Sequence, residues 1–581
     1  SLAGKWDLKP EGNIYNTDMG LNYSPTVNFP GDIQTAILEA NPGFDPYYRD
    51  NELKFQVPGQ TYWTCTRTIN IPKIMLKNHQ FIEFDGIDTF ADIFVNDTCV
   101  GHTENFFRLW RFDITGLLHE GENTIQIKFT PSEAIALEEA KKLPYPIPCS
   151  VYDITSPNRN LVRKTQCHAG WDWGPCIMAM GVYNSLKIVQ TKTGFIDYIQ
   201  TKTTPISENQ WQVEVTTHIY GLSDCSIPVS VCVKGDGIEP AITGTPVRIS
   251  VGENVVKHTL TVNNPELWWP AGCRPEDDDA IINTGKPTFN PNTLYDITVT
   301  AGELSKTQKL GFRTLKVVAK EDEQGKSLYF KVNGRSVFSK GSNWIPCDAL
   351  PSRQTPEKYQ YLLDSLVKAN QNTVRVWGGG FYEKDIFYYL CDLYGILIWQ
   401  DCMFACSTYP ATKDFLENVR YEIRHQVKRL SHHPSLAIWC GNNENLGAIT
   451  WYEESKNNRD RYLLDYDHLN EGVVGDEIQK NDPDRAWWPS SPSAGPNDFS
   501  DNWHSDGRGD MHYWSVWHEK KPFEAYYSIK PRFVSEFGYQ SLPAMSEIKT
   551  FADQKDLNLT SPIMEFHQRS PGGNAIIFEN F

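Results

Sequence analysis

The sequence lacks any run of about 18 apolar residues, the length that a membrane-spanning helix requires. Its start at Ser1 also carries no signal peptide, and we interpret the chain as processed or trimmed there. Basic residues are few beside acidic ones, with 55 Lys and Arg against 72 Asp and Glu and a net charge of −17. Nucleic acids and anionic membranes attract basic surfaces, so the sequence predicts neither as a partner and fits a neutral substrate.

Signals for metals and nucleotides are missing as well. The 13 cysteines are an odd number without a repeated spacing, and Cys402 and Cys406 lack the second Cys or His pair that a metal site needs. We therefore interpret the cysteines as buried free thiols. The glycine run at Gly378–Gly380 lacks the Lys-Ser/Thr pair of a phosphate-binding loop. The sequence accordingly predicts no metal and no other cofactor.

The composition is that of a folded protein with several domains. The chain has 581 residues, of which 40% are hydrophobic and 22% are charged, so about three domains are expected. Consensus sites for N-glycosylation occur at Asn96 and Asn558, with a poorer one at Asn22. These sites are compatible with an extracytoplasmic location, whether secreted, periplasmic or lysosomal, without establishing it.

Residues 1–190 are predicted to form short strands between turns. Tyr62–Pro72 and Gln80–Val100 alternate polar and apolar residues, and Thr124–Phe129 follows a turn. No long amphipathic helix is predicted among them, which favours a jelly-roll β-sandwich.

A second all-β unit is predicted over residues 191–315. Trp211–Tyr220 alternates polar and apolar residues, and Pro228–Lys234 follows after a turn. The stretch from Arg274 to Pro291 is rich in Gly, Pro and Asn and predicts a long exposed loop. We find no residues with catalytic chemistry in this unit.

Residues 316–581 alternate strands with helices, which is typical of a parallel sheet built from β/α units. The predicted strands are Val337–Asn343, Thr373–Trp377, Ile396–Asp401, Leu436–Cys440, Arg485–Pro489, Asp510–Trp514 and the segment around Glu536. The predicted helices are Pro356–Asn370, Glu383–Tyr394, Lys413–Leu430, Tyr466–Lys480 and Met545–Asp553. A (β/α)8 (TIM) barrel needs an eighth strand, and Ser570–Phe581 shows no clear β/α unit, so we expect a barrel truncated before that strand.

Two of these strands end in a glutamate. The apolar strand Leu436–Cys440 is followed by a glycine and the run NNEN, which contains Glu444, and the second strand ends at Glu536 before another glycine. Catalytic groups of α/β barrels lie at the C-terminal ends of the strands, and two carboxylates there are what glycoside hydrolysis requires. The alternative is a polar loop in which Glu444 is solvated.

The two strand-end sequences, WCGNNEN and SEFGYQSLP, resemble the acid/base and nucleophile motifs of the β-mannosidases in glycoside hydrolase family two. The pair Asn443-Glu444 is shared across retaining enzymes of that family, whereas the NNEN spelling is similar to β-mannosidases in particular. The resemblance covers the chain from about residue 50 onward. It implies a sugar-binding-like jelly roll over 1–190, an immunoglobulin-like β-sandwich over 191–315 and a catalytic barrel, incomplete at its C-terminus, over 316–581.

The resemblance also implies roles for individual residues. Glu444 would be the general acid/base and Glu536 the nucleophile of a retaining exo-β-mannosidase, and Asn443 would hold the sugar 2-hydroxyl. The segment QCHAGWDWGP matches a β-mannosidase loop that crosses the barrel mouth, so Asp172 would bind sugar hydroxyls and Trp171 would form a wall. Aromatic packing at a domain contact remains the alternative for this loop.

Further candidates lie at other strand ends. Trp377 is a stacking floor or a core residue, and Asp401 is a sugar ligand or a buried aspartate bonded to backbone. The family has a tyrosine whose hydroxyl bonds the nucleophile, and Tyr513 fits that position. His512 and Trp451 complete the set of candidate substrate-binding residues.

The expected substrate is a β-mannoside oligosaccharide with a terminal non-reducing mannose. Alternatives are another family-two β-glycosidase, such as a galactosidase, a glucuronidase or an endo-β-mannosidase, or a non-catalytic carbohydrate-binding fragment. Both glutamates at strand ends disfavour the non-catalytic reading. The sequence does not determine the oligomeric state.

Overall fold

The computed structural model describes residues 1–278 and 290–580. The predicted loop from Arg274 to Pro291 falls mostly on residues 279–289, which lie outside the described residues. Within the two described ranges, no helix is long and apolar enough to cross a membrane.

The N-terminal part of the chain forms two antiparallel sheets that share one core. The first sheet has six strands, in the order Thr26–Phe29, Gly4–Asn13, Thr61–Ile71, Gly121–Thr130, Phe90–Val95 and Thr98–Thr103. The second has four, in the order Gly31–Asp32, Gly181–Thr191, His79–Asp88 and Leu109–Asp113. Period-two alternation along the strands directs one face of each sheet inward, where Trp6, Trp63 and Phe84 are buried together.

Helices are also present in this region, for which the sequence predicts strands and turns and no long amphipathic helix. The helices are Ile33–Ala40, Glu52–Phe55 and Ser132–Lys142. The last one reads SEAIALEEAKK, and its Ala, Leu, Glu and Lys residues have high helix propensity. Because only a narrow side is apolar, with Ala136 packed against Phe90 and Val162, no amphipathic period is visible in the sequence.

The next two sheets form a second sandwich. One sheet contains Gly194–Ser207, Gln210–Gly221 and Gly252–Asn263, and the other contains Ala241–Ile249, Cys225–Lys234, Tyr295–Ala301 and Leu304–Leu310. All of their pairings are antiparallel. Valines and isoleucines from both sheets, together with Trp211, Tyr295 and Phe312, fill the space between them.

Parallel strands begin after a small antiparallel subsheet of Leu315–Val318, Tyr329–Val332 and Arg335–Val337, beside the hairpin Glu321–Asp322 and Gly325–Lys326. A five-stranded parallel sheet contains Gly341–Trp344, Thr373–Val376, Leu397–Asp401, Leu436–Cys440 and Ala486–Trp488. A parallel pair contains Met511–Tyr513 and Val534–Phe537. The first predicted strand was misplaced, because Val337 ends an antiparallel strand and the parallel one starts at Gly341.

Helices connect and follow these strands. They are Pro356–Lys368, Asp385–Tyr394, Lys413–Leu430, Asn445–Ala448, Glu453–Asn457, Arg459–Tyr466, the π-helix Asp467–Gly475, Asp476–Asn481, Ser515–His518, Met545–Phe551, Pro562–His567 and Gly573–Asn580. The predicted helix Tyr466–Lys480 is therefore the second part of a longer helical run that begins at Arg459. A helix occupies Gly573–Asn580, where the sequence showed no clear β/α unit.

Buried polar contacts join the first sandwich to the parallel strands. Arg163 places its Nη2 atom 2.7 Å from Oε1 of Glu422 on the helix Lys413–Leu430, and both side chains are buried. The backbone N–H of Cys167 donates to the carbonyl of Gly379 at 2.9 Å. These contacts fix the segment that leads to Trp171 over the ends of the parallel strands.

Candidate active site

A cavity of about 1060 Å³ lies at the C-terminal ends of the parallel strands, and both predicted catalytic glutamates line it. The strand Leu436–Cys440 is fully buried, and the chain turns at Gly441. A Cβ atom there would lie 2.3 Å from the carbonyl oxygen of Pro489, so only glycine fits. The turn leads directly to Glu444, which has a φ of 61° and donates its backbone N–H to Ser491 at 2.8 Å. A left-handed conformation in a residue other than glycine carries strain of about 1–3 kcal/mol and is concentrated at functional sites.

Glu536 is held by donors on both of its oxygens. Arg375 donates to Oε1 at 2.7 Å and the indole of Trp514 donates to Oε2 at 3.0 Å. Burial of the carboxyl opposes its ionisation, but the charges of His512 and Arg375 and the hydrogen bonds outweigh burial and lower the pKa of Glu536. The carboxyl is therefore ionised near neutral pH, as a nucleophile must be.

The carboxyl groups of Glu444 and Glu536 lie close together, with carboxylate oxygens within 4.8 Å of each other. Inverting glycosidases separate their carboxyl groups by roughly 6.5–9.5 Å, and retaining ones by about 5–5.5 Å. The observed gap falls outside the inverting range and is too short to hold a water molecule between the two groups in line with both. The separation is closer to that of retaining than to that of inverting glycosidases.

His512 lies between the two glutamates and is completely buried. Its Nδ1 atom is 2.6 Å from Oε1 of Glu444 and 3.4 Å from Oε2 of Glu536. Burial disfavours the imidazolium, but the negative charge of Glu536 and the hydrogen bond and charge of Glu444 outweigh burial and raise the pKa of His512. The sequence placed this histidine among substrate ligands, whereas the structure places it against the two carboxylates.

The three groups Glu444, His512 and Glu536 are also of the types that bind metal ions, with one atom of each within 4.8 Å of the others. The 2.6 Å separation of His512 Nδ1 from Glu444 is that of a charge-assisted hydrogen bond with a shared proton. We therefore assign this cluster to proton transfer rather than to a metal.

Arg375 connects the candidate residues, and sequence reasoning missed it. Its guanidinium donates to Asp401 and to the side-chain oxygen of Asn443, each at 2.7 Å, in addition to Glu536. Asp401 is fully buried and also accepts from the backbone N–H of Gly378 at 3.1 Å. Asp401 therefore holds the arginine in place, which agrees with the alternative of a buried aspartate bonded to backbone rather than with a sugar ligand. The available signal was a single charge inside the apolar strand Thr373–Val376.

Asn443 and Glu444 share a second neighbour, Cys406. The Cys406 thiol donates to Oε2 of Glu444 at 3.2 Å and accepts from the amide of Asn443, also at 3.2 Å. Burial raises the pKa of the Cys406 thiol, and the charge of Glu444 raises it further. From the sequence, Cys406 is interpreted as a buried free thiol. In the structure its thiol is free and lines the cavity.

The WDWGP loop of the first sandwich forms another wall of the same cavity. The ring of Trp171 is perpendicular to that of Trp377 at 4.7 Å between centroids, and Trp173 packs on Trp377 at 5.4 Å. Burial, followed by the negative charge of Glu444, raises the pKa of Asp172 to about 6. Asp172 thus lies near Glu444 and lines the same cavity, so the loop does more than pack one domain against another.

Tyr513 does not contact the nucleophile, contrary to the sequence prediction. It is buried with Met511 and Val516 and packs on Tyr526 at 5.6 Å between ring centroids. The physical reason is strand alternation, because His512 faces Glu444 and Glu536 and its neighbours on the strand face the other way. Trp514 supplies the hydrogen bond to Glu536 instead.

Trp451 also lines the cavity. It packs edge to face on Trp503, at 6.0 Å between ring centroids. The structure therefore brings together Glu444, Glu536, Asn443, His512, Asp172, Trp171, Trp377 and Trp451. Asp401, Tyr513 and His512 are the three predicted residues outside the cavity lining, and His512 reaches the site through its contacts with Glu444 and Glu536.

Known proteins resemble this chain over most of its length. The β-mannosidases of Capra hircus and Bos taurus are 32% and 33% identical to it, over 99% of this chain and 65% of each relative. The chain thus spans about two thirds of the length of these curated relatives. The β-D-mannosidase structure from Dictyoglomus thermophilum superposes with a TM-score of 0.86 at 31% identity, covering 100% of this chain and 67% of that one.

The fold also extends to more distant proteins. An exo-chitosanase from Amycolatopsis orientalis superposes with a TM-score of 0.66 at 17% identity, covering 96% of this chain and 60% of the chitosanase, which indicates a shared fold alone. Residues 6–184 match the model of the glycosyl hydrolase 2 galactose-binding-like domain. The fold is the β-rich multidomain fold of glycoside hydrolase family two, and the chain belongs to the β-mannosidases of that family.

Proposed function

We propose that the protein is a retaining exo-β-mannosidase that removes terminal non-reducing β-D-mannose from oligosaccharides or glycoconjugates. The observation that supports this most directly is the separation of Glu444 and Glu536, whose carboxylate oxygens lie within 4.8 Å. Family membership and the match to named β-mannosidases favour mannose over other sugars.

In the first step, the Glu536 carboxylate attacks the anomeric carbon and the bond to the leaving oxygen breaks, with its electron pair staying on that oxygen. Glu444 donates a proton to the leaving oxygen. Arg375 and Trp514 hold the two oxygens of Glu536 so that one lone pair is directed into the cavity. The product of this step is a glycosyl ester on Glu536.

In the second step, Glu444 accepts a proton from water, and the water oxygen attacks the anomeric carbon and releases Glu536. Two displacements at one carbon retain its configuration. Because Arg375 fixes the side-chain oxygen of Asn443, the amide N–H of Asn443 is the group that would donate to the sugar 2-hydroxyl. That hydroxyl is axial in mannose, and its hydrogen bond strengthens as positive charge develops on the ring.

The remaining walls fit a sugar subsite. Trp171 and Trp377 present perpendicular aromatic faces, and Asp172 offers a carboxylate to sugar hydroxyls from the first sandwich. We assign these three residues to the terminal mannose and Trp451 to the side of the leaving group.

The site rests on a proposed domain division into a jelly roll over 1–190, an immunoglobulin-like sandwich over 191–315 and a barrel over 316–581. The seven parallel strands support an α/β barrel. Asn343 at the end of the first parallel strand donates to the Ser535 carbonyl of the last at 3.0 Å, which links the two ends of the series.

An extracytoplasmic location remains part of the proposal, and the two consensus glycosylation sites differ in their support for it. The Asn96 amide donates to the Leu117 carbonyl at 2.9 Å and to the Asn123 side chain at 2.8 Å, so a glycan there would break both bonds. Asn558 lies in a local turn in which its side-chain oxygen accepts from Thr560. Asn558 is therefore the better candidate for modification.

The test uses a panel of aryl β-glycosides and proton NMR of the first-formed product. We expect hydrolysis of the β-mannoside in preference to the β-galactoside, β-glucoside and β-glucuronide, with β-mannose formed first. Initial α-mannose would contradict the retaining mechanism, and binding of mannosides without turnover would favour the carbohydrate-binding alternative.

Two variants test the assigned roles. Glu536→Gln should abolish glycosyl-enzyme formation with every leaving group. Glu444→Ala should impair substrates whose leaving group needs a proton, by on the order of 10²–10⁴-fold, and should spare the first step on a dinitrophenyl mannoside. Equal losses on both substrate types in Glu444→Ala would count against the assignment.

A further inference from the structure

His512 belongs to a buried chain of hydrogen bonds that extends away from the cavity. Its Nε2 atom lies 3.0 Å from the hydroxyl of Ser491, and that hydroxyl donates to Asp510 at 2.6 Å. Asp510 is fully buried and also accepts from Ser535 at 2.6 Å and from the indole of Trp488 at 2.8 Å. The carboxylate of Asp510 is therefore the acceptor at the end of this chain.

This order of donors fixes the tautomer of the imidazole. A serine hydroxyl has a single hydrogen, and in Ser491 it points to Asp510, so the oxygen of Ser491 must accept from Nε2 of His512. A neutral His512 then carries its proton on Nε2 and leaves a lone pair on Nδ1. That lone pair faces Oε1 of Glu444 at 2.6 Å, and a contact this short between two acceptors requires one proton between them.

We propose that His512 stores the proton that Glu444 delivers to the leaving group. The inference rests on the proposed glycosidase function and deepens it, and His512 is a positioning residue that acts through Glu444. In the resting site, the proton is on Nδ1 and both glutamates are ionised, separated by an imidazolium. As the leaving oxygen departs, the N–H bond at Nδ1 breaks, the proton passes through Glu444, and the leaving oxygen gains it.

The charges balance over both steps. Before the reaction the site holds one imidazolium and two carboxylates; after the first step it holds a neutral imidazole, the Glu444 carboxylate and a neutral ester on Glu536. In the second step, Glu444 takes a proton from water and returns it to Nδ1, and Glu536 is released as a carboxylate. The leaving group carries one proton away and water supplies its replacement, so the net charge of these three groups stays at minus one throughout.

The charged groups around His512 are consistent with this role. Glu444 and Glu536 favour the imidazolium, Arg375 opposes it, and Asp401 interacts with it across the site. Asp510 acts through Ser491. The imidazolium lies between two carboxylates whose oxygens approach within 4.8 Å, so it also reduces the repulsion that would otherwise hinder ionisation of both.

The first test is the pH profile of kcat/KM for His512→Asn, which keeps a hydrogen-bonding side chain and removes the titrating group. For a β-mannoside with a poor leaving group, we expect a loss of about 10- to 100-fold and a basic limb shifted to lower pH. A dinitrophenyl mannoside should be cleaved almost normally in the first step. An unchanged basic limb, or equal losses on both substrates, would overturn the proposal.

Matched variants exclude a general effect on structure. His504→Asn makes the same change on the other face of the strand, where His504 packs against Tyr513 at 5.3 Å, and should leave the profile unchanged. Ser491→Ala removes the group that fixes the tautomer, so it should shift the basic limb in the same direction as His512→Asn but by less. If His512→Asn does not fold, a normal profile in Ser491→Ala overturns the proposal.

A second readout needs no turnover and separates this proposal from the function itself. Nitrogen-15 NMR of histidine-labelled chain, with the His512 signal identified by its loss in His512→Asn, gives the pKa of His512. Replacing Glu444 by Gln removes the proton-sharing carboxylate and should lower that pKa by about one unit or more. An unchanged value would overturn the storage role, whereas absent mannosidase activity in the wild type would contradict only the function.

Discussion

At the scale of single residues, the site balances each charge against a fixed partner. Glu536 and Asp401 share Arg375, and Glu444 lies 2.6 Å from Nδ1 of His512. Sequence analysis found Glu444 and Glu536 because each ends an apolar strand. It missed Arg375 because the partners that make a buried arginine acceptable lie on other strands. It chose Tyr513 wrongly because neighbouring residues of a strand point to opposite faces of the sheet. In a strand of three residues, the sequence does not show which residues point to which face.

Asp172→Asn is expected to stabilise the fold at neutral pH while it reduces activity. The pKa of Asp172, raised to about 6 by burial and the charge of Glu444, exceeds the value of about 3.9 in an unfolded chain. The folded state therefore binds the proton more tightly, and stability falls as pH rises from about 4 to about 6. Asn at position 172 does not ionise, so the variant does not lose stability in this pH range. Its Tm should therefore exceed that of the wild type above pH 6 and equal it below pH 4.

Thermal unfolding across this pH range measures the effect, and kcat/KM should fall by about 10²–10³-fold as a hydrogen bond to the sugar weakens. Asp153→Asn, at an exposed position near the same loop, is the control and should change Tm by little at any pH. A gain in Tm that is equal at pH 4 and pH 7 would contradict the prediction.

At the scale of elements, long periodic segments were predicted well and irregular ones were not. The helix Lys413–Leu430 and the strand Leu436–Cys440 have the predicted bounds, because each carries a clear apolar pattern. The predicted position of the parallel strand at Gly341 was displaced. The reason is that Gly341–Trp344 exposes its first three residues and has no apolar run. Sequence patterns report burial, so a strand whose side chains face the cavity lacks the usual signal.

Gly441→Ala tests how strictly the strand end positions Glu444. An added Cβ would lie 2.3 Å from the Pro489 carbonyl oxygen and 2.4 Å from the side-chain oxygen of Asn470, so the backbone must move. We expect the free energy of unfolding to fall by about 1–3 kcal/mol. We also expect kcat to fall by more than the decrease in the folded fraction of the protein would explain. Both follow from chemical denaturation and steady-state kinetics on the same sample.

Gly472→Ala is the control for this substitution. Its Cβ would approach only the Asp467 carbonyl oxygen, at 3.6 Å, and alanine in a helical segment is favoured over glycine by up to about 1 kcal/mol. Wild-type stability in Gly441→Ala would show that the turn tolerates a side chain and that the close approach does not position Glu444.

At the scale of the whole molecule, one buried ion pair joins the first sandwich to the helices around the parallel strands. Arg163 and Glu422 are both buried, and the Asn105 amide donates to the same carboxylate at 3.0 Å. The sequence shows both charges but not their pairing, because they are far apart in the chain. The contact that aligns the WDWGP loop with the glutamates was therefore not predictable from the sequence.

Arg163→Met should lower the free energy of unfolding by about 3–5 kcal/mol, because Glu422 would remain buried without its partner. The double variant Arg163→Met, Glu422→Leu should recover part of this loss. Lys202→Met is the matched control, since the Lys202–Asp484 pair is 2.8 Å long but has side chains 48% and 61% exposed, and such pairs contribute at most about 1 kcal/mol. Equal effects of Arg163→Met and Lys202→Met would contradict an important role for the buried pair.

The cavity takes Asp172 from the first sandwich and Glu536 from the last parallel strand. Contacts between distant parts of a chain form late in folding, because closing long loops costs entropy. Domains generally fold as units while the ribosome is still extending the chain, the N-terminal one first. A nascent chain thus carries the strands of the first sandwich long before Glu536 is synthesised, so Asp172 and Glu536 cannot face the same cavity until Val534–Phe537 has left the ribosome and joined the other strands.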